Sequence, residues 1–387
     1  MQPSPIPVVT DGNVSAASVL WTYRGRLQLT FVVKAAFALR AGDIASLAPA
    51  PEILTDERTF GRNPARSIEA ASDLALYKPR CDVTLVGHAY APQTRLALAA
   101  SDNRRLLDKI LLAPAATPTA RVPLVYEKAL GGPGSPNPVG VAKPAVLDPM
   151  DPKRAGSYAA LSPFWSARKQ LAAGLEKGAL DGPIAAVAES LSWDYFQSAP
   201  RDQQVEHLAG GEWLVLDGVH PTAPRLQSRL PIVRGAAHLF AVSGDVNVEL
   251  ALDTLAIDAD AMTLTLAWRG RLELAESEAS ILSLRIGAAI ELPGASIDWS
   301  SLAHAAAAPS IAAAEGSDST FALRPDEHQL AAGRAVAPFV IAAPGAPSSS
   351  PSAAAGLPFG ANRSGSAVPP ASAAGDETIA TTRPSDD

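Results

Sequence analysis

Six histidines, His88, His207, His220, His238, His304 and His328, are the residues best suited to proton chemistry near neutral pH. Their spacing excludes a local constellation. No HExxH or HxH pair occurs, and with a single cysteine, Cys81, soft zinc ligands are scarce. A site assembled by the fold is the remaining option, with His88 and His220 at strand ends and Asp82 or Asp217 joining them. Such a group would suit a hydrolase acting on a glycan or peptide. Histidines bonded to backbone at loop junctions are the plainer reading, and it is the one carried forward.

The other chemical candidates are weaker. Carboxylate pairs such as Glu127 with Asp148, or Asp202 with Asp217, would serve glycoside hydrolysis only if held about 5–10 Å apart in an aromatic-lined cleft. Gly131-Gly132-Pro133-Gly134-Ser135-Pro136-Asn137-Pro138 carries three prolines and no Lys-Ser/Thr ending. Proline removes the N–H groups that cradle phosphate, so this is a rigid exposed loop. In it, Asn137-Pro138-Val139-Gly140 reads as a turn that positions a contact surface. No GxSxG or GxGxxG motif is present. Cys81, between Arg80 and Asp82, reads as a half-buried structural thiol rather than a reactive one. No catalytic residue, cofactor or metal is expected.

The elements that must position these residues are mostly strands. Residues 27–39 are dense in β-branched and aromatic types and end at the turn former Ala41-Gly42-Asp43. Residues 82–90 follow Pro79, which biases Lys78 to extended geometry. Residues 96–99 and 106–112 flank Ser101-Asp102-Asn103-Arg104 as a hairpin. Val246, Val248, Leu250 and Leu252 alternate with other residues, as do Met262, Leu264, Leu266 and Trp268 after the turn at 258–261. That predicts an antiparallel pair with one wet face. Residues 212–219 return to the sheet.

The middle differs. Phe164, Arg168, Leu171 and Leu175 share a helical face over 163–175, with Ser162 as N-cap and Pro163 at the first position. Residues 184–191 read as a second short helix. It leads into Trp193-Asp194-Tyr195-Phe196-Gln197-Ser198-Ala199-Pro200-Arg201-Asp202-Gln203-Gln204, the most informative stretch of the chain. Three aromatics in four positions each bury roughly 150–250 Å², and the polar run must find partners if it goes inside with them. Trp193, Tyr195 and Phe196 therefore anchor a structural corner. Asp202 caps backbone after Pro200, and Gln203 and Gln204 satisfy buried polar groups.

These segments carry a resemblance. The 193–204 stretch resembles a bacterial domain-of-unknown-function family, number twenty-one sixty-nine. So does the run from Lys78-Pro79-Arg80-Cys81-Asp82 through Gly87-His88-Ala89-Tyr90-Ala91-Pro92. Further matching pieces are Pro123-Leu124-Val125-Tyr126-Glu127, Asn137-Pro138-Val139-Gly140, Leu216-Asp217-Gly218-Val219-His220-Pro221, Leu252-Asp253-Thr254 and Leu266-Ala267-Trp268-Arg269-Gly270. They fall in family order from about residue 25 to 275. Leu130 stands where the family more often has Phe, and residues 182–192 are poorer in aromatics than usual for it. Genes of this family commonly sit beside those of type VI secretion spike proteins. The resemblance implies an adaptor or chaperone that helps load or dock effector or spike-tip proteins, with no established catalytic residues.

Composition agrees with a protein-binding role. The chain has 387 residues, 47% of them hydrophobic, with 32 Lys+Arg against 39 Asp+Glu and a formal charge of −7. Nucleic acid and anionic membranes reward clustered cations, so neither is expected as partner. No run of eighteen apolar residues and no signal peptide are visible, and one cysteine suits a reducing cytoplasm. We expect one mainly β domain over residues 1–300, antiparallel sheets packed as a sandwich, with a helical insertion near 160–195. Residues 301–387, rich in Ala, Pro, Ser and Gly, read as a disordered tail. Its pairs Pro338-Phe339 and Pro358-Phe359 have the character of short linear motifs on a leash. Two other readings stay open beside the adaptor: the hydrolase, and a structural component exported with the spike.

Overall fold

The structure, a computed structural model, describes residues 1–151, 155–173, 175–176, 178–242, 244–274, 281 and 283–307. The tail motifs Pro338-Phe339 and Pro358-Phe359, and His328, lie outside the described residues. His304 is described only as backbone of the helix Trp299–Ala307.

The fold is mainly β, built from several sheets in which antiparallel pairing dominates. The largest runs in the order Ile184–Val187, Val14–Tyr23, Arg26–Ala38, Thr263–Glu273, Ala251–Asp258, Cys81–Val86, Gln204–Val205. Its centre is the long strand Arg26–Ala38, whose odd residues Leu29, Phe31, Val33, Ala35 and Phe37 all enter one core. Alternation at period two puts them on one face and Gln28, Thr30 and Lys34 on the other. Two four-stranded sheets share that core. One holds Gln93–Ala99, Arg105–Leu112, Trp213–Asp217 and Arg225–Arg229; the other holds Val8–Thr10, Arg285–Glu291, Arg234–Phe240 and Val246–Val248. The expected hairpin over 96–112 forms between the first two of these strands, with Asn103 at φ 65° in its turn.

Three local expectations are corrected. Residues 184–191 are not a helix: Ile184–Val187 is a strand, parallel to Val14–Tyr23, and buries Ala185 and Val187. Four residues reward a free sheet edge with a full ladder, whereas they make barely one helical turn. The helix placed over 163–175 shrinks to Ser166–Lys169 followed by a 3-10 turn at Gln170–Ala172. Ser162 does not cap it; its hydroxyl donates to the Pro64 carbonyl and accepts from the Phe164 amide. The alternating run from Val246 is divided. Val246–Val248 pairs with Arg234–Phe240, and Ala251–Asp258 pairs with Thr263–Glu273 in the main sheet.

Candidate docking cleft

The far side of the main sheet holds the most distinctive features of the molecule. One half of that face is closed by the aromatic corner. Trp193–Phe196 forms a 3-10 turn that sets the Trp193 ring 5.7 Å from those of Trp21, Tyr23 and Tyr77, and 6.2 Å from Phe196. The edge-on pairs with Trp21 and Tyr77 add to plain area burial. Tyr195 packs on Phe196 at 5.3 Å, and its hydroxyl is pushed above its usual pKa by burial. Leu74, Leu76, Ala185, Val187 and Leu191 complete this second core.

The other half is open. A cleft of about 900 Å³ lies over it, walled by residues from 51–73 on one side and 123–128 on the other. Register fixes its floor. Thr84 stands opposite Ala256 and Ala256 opposite Thr265, so small side chains cross three strands in one row. The next row runs Asp82, Thr254, Ala267, Lys34. The face expected to be wet is therefore partly a cleft floor and partly a buried ionic layer.

That layer closes its own charges. Lys34 Nζ is 2.7 Å from Asp73 Oδ2 and donates to the Glu52 carbonyl. Arg269 bonds Asp253 at 2.6 Å and donates to the carbonyls of Asp73 and Ala75. Lys78, with its side chain 3% exposed, meets Asp82, 0% exposed, at 2.9 Å and also donates to Thr254. Asp82 takes three further bonds, from Gln197 Nε2, Ser198 N and Ser198 Oγ. Without such partners a buried carboxylate would carry the full cost of desolvation. In the cleft wall, Glu127 accepts from Arg66, from the Ser67 amide and from the Ser67 hydroxyl.

His88 sits at the lip, its Nδ1 2.6 Å from Asp260 Oδ2. Gly87 makes the approach possible. Its φ is +140°, and a Cβ there would come 3.0 Å from the Cβ of Ala259 in the turn that carries Asp260. So His88 finds a carboxylate, but neither Asp82 nor Asp217. His220 is elsewhere, its Nδ1 accepting from Thr222 and Ala223 amides, and Asp217 pairs with Arg225. Neither His220 nor Asp217 lines the cleft.

The remaining sequence candidates are structural in their contacts. Asn137 is buried and donates from Nδ2 to the Tyr126 carbonyl at 2.5 Å, tying the loop 131–140 to the domain. Pro138, exposed between the buried Asn137 and the half-buried Val139, lies in the same loop. Gln203 donates to the carbonyls of Val83 and Tyr158 and accepts from Lys109. Gln204 accepts from Arg80 and donates to Ala199. Asp202 makes an ion pair with Lys109 at 3.2 Å, and the 3-10 turn after Pro200 has no side-chain cap. Cys81 is fully buried rather than half-buried, and burial, reinforced by the Asp253 and Asp82 charges, pushes its thiol well above 9.0. A thiol so placed stays protonated and unreactive.

Among the described residues no group of three or more His, Cys, Asp and Glu stands close enough to hold a metal ion, and no helix is long and apolar enough to cross a membrane. Sequence reasoning missed the cleft, whose signal lies only in the paired register of four strands. Compared with known proteins, residues 24–269 match the sequence model of a family described as an uncharacterized protein conserved in bacteria (DUF2169). No curated protein and no solved structure matches the chain.

Proposed function

The chain belongs to that bacterial family, and from this premise we propose that it is a non-enzymatic, cytoplasmic adaptor of type VI secretion. It holds an effector or spike-tip protein for loading. The observation that carries the reading is the cleft itself. It is large enough for a ligand-sized segment, and four of its lining cations are engaged by carboxylates: Lys34 by Asp73, Lys78 by Asp82, Arg269 by Asp253, Arg66 by Glu127. Groups locked in this way form a rigid wall that binds without reorganising, which suits docking. The gene neighbourhood implied by the family resemblance supports a spike, tip or effector protein as the partner.

Affinity purification of the full chain expressed from its native operon tests the reading. A spike, tip or effector protein is expected to come with it in stoichiometric amount, and recovery of none would end the adaptor account.

One observation favours a second reading. With Asp260 holding Nδ1, the His88 imidazole has the arrangement of a general base beside a cleft. As a hydrolase, the protein would lose turnover of a glycan or peptide on His88→Ala while keeping its melting temperature. An inactive wild-type chain across both substrate classes would leave docking alone.

A further inference from the structure

Resting on the docking reading, we infer that the cleft takes an uncharged, extended segment of the partner polypeptide and reads its backbone with side chains of the sheet face. The chain already binds a piece of itself this way. Residues 73–76 lie across the same face outside any ladder, and their carbonyls are taken by side-chain donors of the sheet. Arg269 donates to Asp73 and Ala75, and the Thr30 hydroxyl donates to Leu76. The open half offers the same kind of group. Thr84, Thr263 and Thr265 line the cleft with no side-chain hydrogen bond to any described residue, and His88 has its second ring nitrogen, Nε2, without a partner.

Charge selects the occupant. The floor cations Lys34, Lys78 and Arg269 are matched by carboxylates beside or beneath them, as are Arg58 and Arg66 in the wall. A charged segment laid on the floor would therefore lose hydration without gaining a counter-ion there. Lys128 stands exposed at the wall. A helix is a poor match as well, because its backbone groups are satisfied internally and would leave the threonine hydroxyls unpaired. Two inter-strand steps make the row from Thr84 to Thr265 roughly 10 Å long, which suits about three extended residues. The occupant facing that row carries Gly, Ala, Ser or Thr. A glycan would also offer hydroxyls, but it favours stacking platforms, and Phe60 is the one aromatic lining the cleft besides His88.

The test uses the full chain co-expressed with its operon. Ala256→Trp fills the middle of the floor; Ala256→Ser is the control. Partner recovery is expected to fall at least tenfold with A256W, to stay unchanged with A256S, and the melting temperature of both to match wild type. A photo-crosslinking residue at position 84 should mark an uncharged partner segment poor in large side chains. If A256W has no folded transition, Thr265→Tyr fills the same floor and is read in the same way. Undiminished recovery with a filled floor overturns the inference while leaving the adaptor reading intact. So does a crosslink to a glycan, a helix or a charged segment. Failure of the wild type to recover any partner removes the adaptor reading itself.

Discussion

Asp82→Ala removes the carboxylate on which the buried ionic layer converges. Asp82 is fully buried and serves Lys78 Nζ at 2.9 Å, Gln197 Nε2 at 2.6 Å, and Ser198 N and Oγ at 2.8 and 3.1 Å. Its loss strands the Lys78 ammonium in a site where only Thr254 remains as partner. Removing one member of such a buried pair costs about 3–5 kcal/mol. For a domain of this size that lowers Tm by on the order of 10 °C. Lys78→Met should cost less, roughly 1–3 kcal/mol, since Asp82 keeps its three other donors. The double variant Lys78→Met/Asp82→Leu should recover much of the loss, ending at least about 2 kcal/mol above the sum of the single effects. Urea and thermal unfolding followed by circular dichroism measure all three. A loss under about 1 kcal/mol for D82A, or strict additivity in the double variant, would refute the view that these charges hold the sheet face together.

Two further outcomes follow from single positions. Because burial raises the Cys81 thiol well above 9.0, the folded chain holds that proton more tightly than the unfolded chain does. The resulting stability is fully present below the unfolded value and is lost as pH rises through the folded one. At pH 8 the native thiol should react with a disulfide reagent at least about a hundredfold more slowly than in urea; equal rates would contradict its burial. Gly87→Val puts a branched side chain at φ +140°, against Ala259, and should cost roughly 1–3 kcal/mol. It should also detach His88 from Asp260, seen as changed His88 ring chemical shifts by NMR; a neutral substitution would mean the turn is not held there.

Much of the β framework was legible in sequence. The strand read over 27–39 is Arg26–Ala38, and the hairpin read around residues 101–104 joins Gln93–Ala99 to Arg105–Leu112. Both rest on local alternation and turn chemistry, which tertiary contacts did not override. The middle failed because short apolar runs have no period of their own. Ile184–Val187 is a strand since the edge of Val14–Tyr23 was available, and that edge is invisible locally. The aromatic corner was readable from Trp193, Tyr195 and Phe196, yet its partners Trp21 and Tyr77 come from distant segments. The cleft was hidden for the same reason. Thr84, Ala256 and Thr265 become one surface only after three strands find their register. Asp260, the partner of His88, sits 172 residues away in a turn that looked merely connective.

Hydrogen exchange on the full chain, alone and bound to its operon-encoded partner, tests the docking site most directly. The account predicts slowed exchange at the cleft lip and walls, in 66–73, 87–88 and 259–261, with the sheet edges unchanged. Protection confined to the edges, or to the loop 131–140, would show that the partner docks elsewhere and that the cleft is not its seat.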